Sequence, residues 1–157
     1  MKNGSKRIMV VGGAVLAVVA LTSLVKSHCE IPCGIYDDDA GMKEIAEHIF
    51  TIEKSMKQID YLSKQESPNW NQVTRWVNNK ELHANKLNDI VTQYFMTQRI
   101  KPADSGDQAA YADYTKKLTL LHQMLVFSMK SKQTTDVAHT AKLRSLLGEF
   151  HNAYHSH

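Results

Sequence analysis

Between residues 44 and 64, Ile45, Ile49, Ile52, Met56, Ile59 and Leu62 return at steps of three and four. That rhythm puts all six on one face of an α-helix. A stripe of this kind must be buried, so the rest of the chain has to cover it. Three further stripes do so. Ser67-Pro68-Asn69 breaks the first pattern. A second helix is predicted from Trp70 to Met96, with Val73, Val77, Ala84, Leu87, Val91 and Tyr94 in its stripe and Lys80 as the one polar interruption. The segment IKPADSGD, with Pro102 and Gly106, is a breaker. A third helix is predicted from Gln108 to Lys130 on Tyr111, Tyr114, Leu118, Leu121 and Leu125. Thr134-Thr135-Asp136 can cap a fourth, carrying Leu143, Leu147, Phe150 and Tyr154. There is no alternating strand pattern and no internal repeat. The fold class expected for residues 40–157 is all-α, an up-down-up-down four-helix bundle with short connections. Met56 and the stripe tyrosines read as core.

Ahead of the bundle, residues 1–27 have a different character. Lys2, Lys6 and Arg7 make a basic start, and Ile8 to Val25 is almost wholly apolar. Val25 and Ser27 stand three and one residues before a cut that would fall ahead of His28. This is the layout of a cleaved secretory signal, and it predicts export to the periplasm or another extracytoplasmic compartment. The rival is an uncleaved anchor, since about 20 apolar residues span a bilayer. His28 before Cys29 does not suit lipoprotein processing, and Lys6-Arg7 is not a twin-arginine pair.

The leader also decides the charge balance. The whole chain has 19 Lys+Arg and 16 Asp+Glu. Setting aside Lys2, Lys6, Arg7 and Lys26 leaves 15 basic against 16 acidic side chains over 130 residues. The mature chain is near neutral, which argues against a nucleic-acid partner. Contact with a membrane is expected only in passing, through the leader.

Both cysteines fall in the stretch HCEIPCGIYDDD, residues 28–39. In an exported protein a Cys29–Cys33 disulfide is one reading. A bridge closing so short a loop constrains little chain, and it leaves His28 unexplained. A metal explains more. Cleavage before His28 frees an amine. That amine, the next backbone nitrogen and the Cys29 thiolate lie in a row on one short segment. Pro32 can bend the chain so that Cys33 adds a second thiolate, with the His28 imidazole left for an axial position. Two thiolates with two nitrogens in a plane suit nickel or copper rather than zinc.

The pattern His28-Cys29-x-x-Pro32-Cys33-Gly34-x-Tyr36 resembles the nickel hook of nickel-containing superoxide dismutase. NQVTRWVNNKELHANKLNDIVTQYFMTQRIKP is similar to the second-helix region of that family. Glu30 stands where many members have aspartate, and a secretory leader replaces the short polar pro-segment that many carry. The resemblance implies a four-helix bundle and one nickel ion per subunit. It implies disproportionation of superoxide to dioxygen and hydrogen peroxide by Ni(III)/Ni(II) cycling. By resemblance, His28 supplies the terminal amine and an axial imidazole, Cys29 its amide nitrogen and thiolate, and Cys33 the second thiolate. Tyr36 stands over the open face, and Glu44 orients the imidazole. Arg75 is the candidate for a second-helix arginine near the metal, and Tyr94 for a tyrosine that backs the hook. The family's hexamer implies a homo-oligomer.

Other histidines carry less. His48, His83, His122 and His139 read as surface or core-edge residues. His151, His155 and His157 are close in the tail FHNAYHSH, where the first two would share a helix face; a secondary metal site and a solvated end are both readings of them. Two rival functions remain at this stage: an exported, disulfide-bonded helical binding module, and a copper- or nickel-binding protein that uses the same N-terminal chelate without catalysis.

Overall fold

The computed structural model describes residues 37–156. The leader, the hook residues His28, Cys29, Cys33 and Tyr36, and the last residue, His157, lie outside the described residues. Four helices make up the described chain, with no strand among them: α1 (Asp38–Ser63), α2 (Trp70–Asp89, continuing to Arg99), α3 (Gln108–Gln133) and α4 (Ala138–His155). Helices α1 and α2 pack most extensively, as do α3 and α4, while α1 with α4 and α2 with α3 close the bundle.

The helix starts follow from local chemistry. Asp37 accepts a hydrogen bond from Asp39 N at 3.0 Å, and Asp38 and Asp39 put negative charge in the first turn, where the helix dipole favours it. The helix therefore claims the last two residues of the stretch 28–39. Asn69 caps α2 through Gln72 N, and Asp107 caps α3 through Ala110 N. At α4 the N-cap is Val137, one residue past the expected TTD run, and it makes no side-chain cap; Asp136 accepts from Ala138 N just ahead of the helix, and Thr134 accepts from Asp136 N.

The core is built from Ile45, Ile49, Ile52 and Met56 of α1, Ala84, Leu87, Val91 and Phe95 of α2, Leu121 and Met124 of α3, and Leu143, Leu146 and Phe150 of α4, all fully buried. Burying each large side chain contributes about 1.5–3 kcal/mol. The predicted stripe of α1 is the buried one, with Ile59 and Leu62 half-buried at its end. The stripe of α3 is met in part: Leu121 is fully buried and Tyr114, Leu118 and Leu125 pack half-buried against the core, but Tyr111 is exposed, and Leu120 and Met124 also face inward.

Lys80, the polar interruption of α2, is buried with 4% exposure. Its Nζ donates to the carbonyls of Lys132 at 2.7 Å and Thr134 at 3.0 Å, two of the acceptors that the end of α3 leaves unpaired. Burial lowers its pKa.

Past Asp89 the second helix widens. From Ile90 to Arg99 it runs as a π-helix. Thr97 Oγ1 donates to Thr92 O, Gln98 Nε2 to Gln93 O and Ile100 N to Phe95 O, each reaching back five residues. Such turns are rare and concentrate at functional sites. In an α-helix, residues five apart sit about 140° round from each other. The wider turn brings Tyr94 and Arg99 close to one face.

Candidate metal centre

The sequence places every expected metal donor before Asp37, outside the described residues, and the described chain begins with the helix start that follows them. Asp38, two residues after Tyr36, is the hub of a polar cluster there. Its carboxylate accepts from the Tyr94 hydroxyl, from Tyr154 Oη at 2.7 Å and from Arg99 Nη2 at 2.5 Å. Arg99 Nε also donates to Tyr154 Oη at 3.3 Å. The first turn of α1 is thereby tied to the π-helical end of α2 and to the last turns of α4.

Beneath the hub lie stacked rings. Phe95 meets Tyr94, Phe150 and Tyr154 edge-on, at centroid distances of 5.1, 5.1 and 5.9 Å. Helix α1 packs directly on them at Gly41, where even a Cβ would stand in ordinary van der Waals contact, 3.5 Å from the Phe95 ring. Edge-to-face pairs of this kind add about 0.5–1.5 kcal/mol each beyond burial.

The electrostatics of the hub are self-consistent. Burial acts to raise the Asp38 pKa, but the hydrogen bonds from Arg99, Tyr94 and Tyr154 and the Arg99 charge outweigh it, and the carboxyl is held below its ordinary value. Burial and the Asp38 carboxylate push Tyr94 up to about 12, and the same two causes raise Tyr154. Arg99 is raised further by its bonds to Asp38 and Tyr154, so it stays charged. At neutral pH the hub is one carboxylate, one guanidinium and two neutral phenols.

A second polar feature joins α1 to α2 one helix face away. His48 and His83 meet at 3.1 Å between their Nδ1 atoms. Glu44 Oε1 lies 3.7 Å from His48 Nε2. Burial, then the charge of His83, lowers the His48 pKa; burial, then Lys86, lowers that of His83.

The described residues named from sequence are thus separated. Tyr94 sits at the hub, half-buried and bonded to Asp38. Glu44 is exposed and stands beside His48; six residues from Asp38, it is on another face of α1 and about 9 Å further along. Arg75 is exposed, on a groove with Phe50, Thr51, Lys54 and Trp76. Nothing among the described residues joins Arg75 to Glu44 or to the hub. The arginine that the structure brings to the start of α1 is Arg99. Asp38, Arg99, Tyr154 and His83 are site-forming residues that sequence reasoning did not single out. The only signal for the hub was three acids in a row after Tyr36. Of the two readings given for His48, surface or core edge, the structure supports the second: it is buried, with 6% exposure, beside His83.

The sequence model of the family described as nickel-containing superoxide dismutase matches residues 23–157, which takes in the whole sulfur-bearing stretch and all four helices. Comparison with curated proteins and with solved structures returns no match.

Proposed function

The chain belongs to the nickel-containing superoxide dismutase family, and on that premise we propose how its residues divide the work of a nickel-dependent superoxide dismutase. Its enzyme class and its nickel cofactor are those of the family. Nothing favours the disulfide-bonded binding module or the non-catalytic metal-binding protein.

The donor chemistry fits the ion. Residues 28–33 offer two thiolates, an amine freed by cleavage, a backbone nitrogen and an imidazole, a set that suits nickel over zinc. We assign the metal to His28, Cys29 and Cys33. When bound there, nickel supplies a Ni(III)/Ni(II) couple that takes an electron from one superoxide and returns it to the next. The second half-reaction consumes two protons as peroxide forms, and Tyr36 is placed in sequence to hold a water or peroxide by its hydroxyl. Tyr36 is tethered through Asp37 to Asp38, so the hub limits where the hook can begin. A metal-bound imidazole has its free nitrogen held in most sites, and Glu44 is the family-derived partner for His28. Tyr94 backs the hook through Asp38, and Arg75 remains the second-helix arginine of the resemblance.

The finer readings concern the leader, the compartment and the assembly. Residues 1–27 are proposed to direct export and to be removed ahead of His28, with nickel entering afterwards. No helix among the described residues is long and apolar enough to cross a membrane. A homohexamer is proposed from the family; Phe50 and Trp70, 67% and 63% exposed, are apolar side chains that contact between copies would cover. A second copy of the chain is the partner, and superoxide the substrate.

The observation that carries the site reading is that the family match starts ahead of His28 and contains both cysteines of the chain. Mass spectrometry of the exported protein should find His28 as the first residue. A version with one added N-terminal methionine should lose nickel and turnover, because its His28 nitrogen is an amide and not an amine with a pKa of about 8. Cys29→Ser or Cys33→Ser should lose both while keeping helical circular dichroism. Full activity in an N-terminally extended protein would refute the site assignment.

A further inference from the structure

The tail histidines lead beyond the hook. Asp39, His151 and His155 are brought together where α1 begins and α4 ends. His155 Nε2 lies 3.0 Å and His151 Nε2 3.6 Å from the same Asp39 Oδ1. The two imidazoles stand one turn apart on α4, with ring centroids 4.7 Å apart. We propose that Asp39, His151 and His155 form a second divalent-metal site, of the zinc class, that clasps the first turn of α1 to the last turns of α4.

His155 Nε2 is within hydrogen-bond distance of Asp39 Oδ1, and the same spacing fits a shared ion. Donors bound to zinc at about 2.0–2.1 Å in a tetrahedron lie about 3.4 Å from one another. The two distances to the carboxylate bracket that value, and all three donor atoms lie within 4.8 Å. Two imidazoles and one carboxylate, with the fourth position open to water, are a donor set that zinc accepts and that lacks the thiolates of residues 28–33. Asp39 has no lysine or arginine partner among the described residues; its ion-pair partners are these two histidines alone. All three side chains are between two-fifths and half exposed, so an ion can reach them. The backbone is set in advance by the Asp37 cap at one side and by α4 at the other. An ion held there binds the folded chain in preference to the unfolded one, so it stabilises the fold by an amount that grows with the logarithm of the zinc concentration above its Kd. The clasp sits one residue beyond Asp38, at the base of the hook segment. It does not depend on the hook's own ligands.

The test uses the mature chain with Cys29→Ser and Cys33→Ser, which removes both thiolates. Zinc titration by calorimetry should find one ion per chain, and the unfolding temperature should rise with zinc. His155→Ala or Asp39→Asn in that background should weaken binding at least about tenfold, since even outer-sphere partners of a metal cost that much. His151→Ala together with His155→Ala should abolish both the binding and the shift in unfolding temperature, while the metal-free unfolding temperature stays unchanged. Absence of zinc binding in the cysteine-free chain overturns the proposal. So does one ion bound with unaltered affinity by the double histidine variant, which would place zinc elsewhere, for instance at His28.

Discussion

Two polar features tie α1 to α2, and they are built on opposite principles. At the hub, the Asp38 carboxylate meets a guanidinium and two hydroxyls, and every contact favours its charged form. Ten residues along α1, His48 meets His83, a group that repels it when both are protonated. The buried Nε2 of His48 has no hydrogen-bond partner among the described residues, and Glu44 at 3.7 Å is too far to supply one. One junction stores its stability in complementary charge; the other is stable only while it stays neutral. The first can hold a segment in place across a wide pH range, and the second makes the same pair of helices sensitive to acid.

The largest effect should come from breaking the hub. Asp38→Ala removes the acceptor shared by Arg99, Tyr94 and Tyr154 and is expected to cost about 2–4 kcal/mol, below the fully buried limit because Arg99 is one-third exposed. Chemical denaturation measures it, and nickel retention should fall with it if the hub sets the base of the hook. Tyr154→Phe removes one hydroxyl and should cost about 1 kcal/mol.

A second, smaller effect separates the two junctions by pH. His48 and His83 have lowered pKa values when folded, so below the ordinary histidine value of about 6.5 the unfolded chain binds more protons than the folded one. Stability is therefore complete above that pH and falls as pH drops through it, by at most about 1.4 kcal/mol per pH unit for each such proton. Asp38, also lowered, adds its own loss only below the carboxylate value of about 3.9. Urea melts from pH 7 to pH 4.5 should show the histidine slope, and His48→Leu should flatten it. A slope unchanged in that variant would assign acid sensitivity to other groups.

The smallest effect sharpens the role of Glu44. Its side chain is 60% exposed and its contact with His48 is long, so Glu44→Gln should change stability by no more than about 1 kcal/mol. Against that quiet background, a marked loss of turnover would show that Glu44 serves the metal site, as the family resemblance implies. Wild-type turnover would leave it as a surface acid beside a buried histidine.

Helix α1 was readable residue by residue because its isoleucines and Met56 recur on one face, with Phe50 and Tyr61 as its exposed exceptions. Helix α3 was not, because Leu118, Leu120, Leu121, Met124, Leu125, Val126 and Phe127 spread over several faces, and tertiary packing chooses among them. Tyr94 packs against the core as its place in the stripe predicts, but the stripe omits Phe95, which lies four residues after Val91 and so also near that face, and which is the more buried of the two. The metal donors were legible because cysteine, histidine and a processing site are rare and sit in order. The hub was not, since Asp38 and Arg99 are 61 residues apart and neither is unusual alone.

The π-helical segment has a consequence for how this protein can vary. Between Ile90 and Arg99 the position of the guanidinium is set by how many residues the segment contains, more than by which ones. Adding a single residue there at unchanged winding would turn Arg99 by on the order of 100° away from Asp38, whereas exchanges of side chain leave the winding as it is. The stretch should therefore accept exchanges of side chain far more readily than a change of length.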